Sequence, residues 1–108
     1  MTTNSLEAKN LSGANLSGAN LSGVDLSSAD LGGTDLSRTN LSGAKLTWAK
    51  LTGADLRTAD LSGADLTDAF LDLADLSGTD LRSTHIEAAH LTGARLAGAD
   101  LSGVELKY

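Results

Sequence analysis

One leucine returns at every fifth residue for the length of this chain. From Leu6 to Leu106 there are 21 such positions, and only Ile86 departs from leucine. Two residues before each of them, from 14 to 104, stand 13 Ala, 4 Thr and 2 Val. The residue just before the leucine is Asn or Asp in 13 of 20 cases between 10 and 105, and the two after it are mostly Ser or Thr, then Gly. A period of five matches neither the 3.6 of a helix nor the 2 of a long strand. Two residues spaced by one face the same way in an extended segment, so the small residue and the leucine share a face and the polar residue between them points away. The Ser-Gly pair that follows is turn chemistry, because glycine takes positive φ without steric cost. Each unit is therefore a short extended piece and a bend, and repeated bends of one kind wind a coil with leucine and alanine on its inner wall.

Segments such as Ala14-Asn15-Leu16-Ser17-Gly18 and Ala64-Asp65-Leu66 closely resemble the motif of the pentapeptide-repeat family, in unbroken register from about residue 8 to 108. The resemblance implies an all-β fold, a right-handed quadrilateral parallel β-helix solenoid. It would wind four pentapeptides per coil through about five coils. Residues i and i+20 would then be neighbours at the strand spacing of about 4.8 Å, giving a rod of roughly 25 Å. Leu16, Leu36, Leu56, Leu76 and Leu96 would form one inward column of the core. Asn4 and Lys9 fall on small-residue positions, so residues 1–8 are expected to be an irregular N-terminal cap and residues 9–108 a single repeat domain. No capping helix follows Leu106-Lys107-Tyr108. That end is a candidate for end-to-end homodimer formation through the C-terminal coil, with Tyr108 partly shielding it.

Composition narrows the function by exclusion. The 108 residues carry no Cys and a net charge of −6, so thiol chemistry is absent and direct nucleic-acid binding, which needs a basic surface, is not expected. No apolar run approaches a membrane span of about 18 residues, and no leader is visible. A leaderless, cysteine-free chain is expected in the cytoplasm. His85 and His90 fall on adjacent sides, no hydroxyl has a histidine base arranged around it, and a leucine-filled interior leaves no substrate cavity. The expectation is a chain that is not an enzyme and that needs no cofactor. Asp65, His85 and Glu105 share a column that equally suits a salt-bridge ladder, so no metal site is assigned.

Folded at twenty per coil, the outward residues sort into four sides. The third carries Asp35, Asp55 and Asp75 below Arg95, and the fourth Asp60, Asp80 and Asp100. These stacked acids read either as turn-forming, solubilising residues or as faces that imitate a nucleic-acid backbone. The second side differs. Phe70 replaces the usual Asp or Asn, with Lys50 and His90 next to it in the column, and Trp48 and Leu73 stand at the flanking corners. The rings read as lying flat over the backbone to stiffen the coil, or as an apolar partner surface. The leading expectation is a non-enzymatic structural or protein-interaction scaffold for an unknown protein partner. The near-identical run Leu11 to Val24 would suit a consensus-style engineered chain, whereas Arg82 to Arg95 reads as drift. The alternative is a DNA-mimicking inhibitor of type II topoisomerase (gyrase), a role the resemblance brings from quinolone-resistance members. Those are dimers with about twice as many repeats, and the loops and dimerisation element they often carry are not visible here.

Overall fold

A computed structural model describes residues 5–104. Every unit repeats one local pattern, and Leu46 to Lys50 serves as its example. The Ala49 amide donates to the Leu46 carbonyl at 3.0 Å, which closes a four-residue turn. Its third residue, Trp48, has φ +62°, the sign a type II turn demands there. Three further amides leave the coil. Leu46 donates to Asp65 at 2.8 Å, Trp48 to Thr67 at 3.2 Å and Lys50 to Ala29 at 2.9 Å. Both neighbouring coils are thus tied in by backbone alone.

The bridges that result are parallel and always join i to i+20, in four columns that begin at Ser5, Asn10, Asn15 and Asn20. This is a β-helix-like pentapeptide coil. It differs from the expected all-β reading in one respect: among the described residues each bridge is isolated, and no strand of consecutive bridged residues forms. The reason is the turn every five residues, which leaves only one residue per unit free to pair on both sides. The regular coil also begins earlier than the expected boundary at residue 9. Ser5 bridges Asp25, the Leu6 amide donates to Asp25 at 2.7 Å, and the Lys9 carbonyl accepts from Asp30 at 2.8 Å. Lys9 stands at a small-residue position, and it is exposed to solvent. The cap residues 1–4 lie outside the described residues.

Burial is graded along the rod. The leucines at every fifth position from Leu26 to Leu76 are sealed, Leu36, Leu56 and Leu76 among them, at 0–1% exposure. Leu16 is only half-buried and Leu96 is 36% exposed. Both belong to the expected core column, and they lie in the first and last coils of the described residues. Four buried threonines replace alanine at the small position. Thr34, Thr39 and Thr79 each donate their hydroxyl to the leucine carbonyl three residues back, at 2.7–2.8 Å, and Thr84 does the same to Leu81. The hydroxyl doubles the turn bond, so no buried side-chain polar atom is left without a partner among the described residues.

The third turn position has positive φ in twenty units, eleven with glycine and nine without. A left-handed conformation costs a residue with a Cβ about 1–2 kcal/mol. One corner column, Ala8, Ser28, Trp48, Asp68 and Ala88, contains no glycine at all.

Candidate functional site

The acidic sides are built by turn chemistry. All thirteen Asp and Asn at the position before the leucine accept, through Oδ1, the amide N–H two residues on, at 2.9–3.2 Å. Asparagine makes the bond as well as aspartate, so the bond selects the residue pair and not the charge. On the third side Asp55 is held in a fork by Arg57, with bonds of 2.9 and 2.7 Å. On the fourth, Arg82 forks Asp80 at 2.9 and 2.6 Å and comes within 4.0 Å of Asp100. The Asp-x-Arg spacing in the sequence is the signal for these pairs. They neutralise part of both acidic stripes. Asp35, Asp60 and Asp75 make no ion pair among the described residues.

These contacts lower carboxyl pKa values. The hydroxyl and then the amide of the serine two residues on hold Asp25, Asp35, Asp75 and Asp100 below the usual range. The guanidiniums of Arg57 and Arg82 do so for Asp55 and Asp80. A folded-state pKa below the unfolded one adds stability that is fully present above the unfolded value, about 3.9, and is lost as pH falls through the lower folded values. Thermal melts are therefore expected to be level from neutral pH to about 5 and to drop below about 4. A variant with Asp25, Asp35 and Asp75 changed to Asn should show a smaller drop, because asparagine keeps the turn bond.

The second side brings its expected residues together. Lys50, Phe70 and His90 are consecutive in one bridged column. Phe70 stacks on His90 with centroids 4.9 Å apart and planes 11° from parallel, and Trp48 meets Phe70 at 6.3 Å and 49°. The column spacing permits the stack, since neighbours in it are one coil apart. Phe70 is half-buried, while Lys50 and His90 are exposed. Trp48 is 54% and Leu73 68% exposed. Both stand at the positive-φ corner, at +62° and +63°. Leu73 leans toward the next coil, where its Cδ2 comes within 2.8 Å of the place a Cβ on Gly93 would occupy. The indole is thus partly open to solvent above a positive-φ backbone, a strain signalled in the sequence by a bulky residue at the turn-glycine position.

The rod axis opens toward the C-terminal end in a cavity of about 140 Å³ lined only by aliphatic side chains, from Leu66 to Leu101. Leu101 is 44% exposed. Tyr108, expected to shield this end, and Glu105, expected in the Asp65–His85 column, lie outside the described residues. Among the described residues no three His, Cys, Asp or Glu could hold a metal ion, and no helix is long and apolar enough to cross a membrane.

A family model of pentapeptide repeats in eight copies matches residues 10–43, 39–82 and 74–107. The chain belongs to the pentapeptide-repeat family. It is similar to the crystal structure of a pentapeptide repeat protein from the Arabidopsis thaliana thylakoid lumen, at 32% identity and a TM-score of 0.62, over 92% of this chain and 66% of that one. It is also similar to the pentapeptide repeat protein Rfr23 of the cyanobacterium Cyanothece 51142, at 28% identity and a TM-score of 0.56, over 86% of this chain and 91% of that one. No curated protein sequence matches. The expectation of a cytoplasmic location is corrected: a relative sharing its fold at 32% identity resides in the thylakoid lumen. A composition without cysteine is compatible with that compartment too, so it does not hold a chain in the cytoplasm.

Proposed function

We propose that this protein is a contact scaffold, wound as a right-handed, four-sided coil of about five turns, that binds a partner through the side bearing Trp48, Phe70 and Leu73. One observation carries the reading. Two of the largest apolar side chains are exposed at corners where eleven of twenty equivalents are glycine. Such residues cost the fold twice, in backbone strain and in exposed apolar surface. Strain of this kind persists where contact or function requires it. Lys50 and His90 frame the apolar centre with polar groups, as the rim of an interaction patch does.

The acidic sides support a structural role better than DNA mimicry. Their carboxylates cap turns, and Arg57 and Arg82 offset two of the six charges of Asp35, Asp55, Asp75, Asp60, Asp80 and Asp100. A gyrase supercoiling titration with the parent protein is therefore expected to show no inhibition at micromolar concentration. Inhibition by the parent that disappears when Asp55, Asp75, Asp60 and Asp80 are changed to Asn would overturn the scaffold reading. Those substitutions keep the turn bonds, as Asn15 and Asn40 do, so a loss of inhibition would report charge and not unfolding.

A further inference from the structure

The contact side matches itself. Its column runs Asn10, Asp30, Lys50, Phe70, His90, one coil apart at each step. We propose that the occupant of this side is a second copy of the chain, packed antiparallel about a twofold axis that passes between the Lys50 and Phe70 coils. This deepens the contact reading and rests on it.

An isologous interface requires each patch to complement its own image. With the axis there, Lys50 of one copy lays its aliphatic stem against the outward edge of Phe70 of the other, whose ring face is stacked on His90, and the same pair forms again by symmetry. Asp30 meets His90, whose ring N–H donates to a carboxylate. At the corners the match is steric and polar. Leu73, which protrudes, falls opposite Gly53, where a Cβ would find open space. Trp48 falls opposite Asp68, and the indole N–H, which makes no hydrogen bond among the described residues, gains an acceptor. A parallel arrangement would instead set Lys50 against Lys50 and Asp30 against Asp30.

No other side fits as well. The third would bring Asp55 against Asp75 and the fourth Asp60 against Asp80, like charges directly opposed. The first repeats the favourable signs, with Lys45 against Asp65 and Asp25 against His85, but its column holds no apolar side chain. The rod measures 34 × 25 × 22 Å, so one flat side offers roughly the 800 Å² per partner of a standard interface.

Sedimentation equilibrium of the full chain tests this. The parent mass should rise from 10.9 kDa toward twice that value across the micromolar range, less so at high salt. Lys50→Glu should stay monomeric, and adding Phe70→Lys to it should restore association by setting an ion pair across the axis in place of the original contact. Both positions are at the surface, and circular dichroism verifies that the variants fold. A parent that remains monomeric throughout overturns the pairing while leaving the contact reading to its own test. Association that persists in both Lys50→Glu and Trp48→Gly overturns it as well, because the contact would then lie elsewhere, as at the C-terminal coil.

Discussion

Leu56→Ala is expected to cost about 2–5 kcal/mol of stability, while Leu101→Ala costs under about 1.5 kcal/mol. The two substitutions are chemically identical and differ only in place. Leu56 is sealed between Leu36 and Leu76, all at 0–1% exposure, so removing its side chain leaves a hole that backbone bonds on both flanks prevent from collapsing. Leu101 is 44% exposed and has already lost part of what burial provides. In a solenoid, stability is a sum of coil and coil–coil terms, so the loss should grade with position. Denaturant unfolding measures both. Equal losses would mean that the axial layer is not the main support of the coil.

Asp60→Pro should cost about 3 kcal/mol or more, and Ser62→Pro, two residues later, within about 1 kcal/mol. The Asp60 amide donates to Thr39 of the preceding coil at 2.9 Å, and proline deletes that donor in the middle of the rod. The substitution also removes the carboxylate that accepts from the Ser62 amide at 2.9 Å. Ser62 is the second residue of its turn, a position proline favours in type II turns. Its amide has only that side-chain acceptor to lose, and the stiffer unfolded chain offsets part of the loss. Thermal melts of the two variants give the contrast directly. A tolerated proline at 60 would contradict the bridge pattern itself.

The repeat made most of the fold legible, because each unit carries the same instructions and any five residues read like the next. Leucine inside, small residue beside it, Asx at the turn and the twenty-residue spacing all follow from it and from the family resemblance. What escaped has physical reasons. The grading of burial follows place along the described rod, and Leu16 and Leu96 are open although their units look ordinary. Lys9 looked like a break in register, yet the backbone carries the coil and only the side chain departs. The thirteen turn bonds were foreseen in kind, whereas the neutralising forks of Arg57 and Arg82 needed the spacing Asp-x-Arg to be read as an ion pair. Trp48, Phe70, Leu73, Lys50 and His90 could be grouped from the column arithmetic alone. The stacking of Phe70 on His90 and the outward stance of the indole could not, since both depend on rotamers.

The contact reading makes one energetic claim that a stiffening role for Trp48 does not share: the residue is held at a cost to the fold. Thermal unfolding of Trp48→Gly and Leu73→Gly beside the parent tests it most directly. Relief of the left-handed backbone, about 1–2 kcal/mol, outweighs the entropy of an added glycine, about 0.5–1 kcal/mol. Both variants should therefore melt at or a few degrees above the parent. A clear fall for Trp48→Gly would mean that its contact with Phe70 braces the coil, and the exposed aromatic side would then be part of the scaffold's stability and not its binding surface.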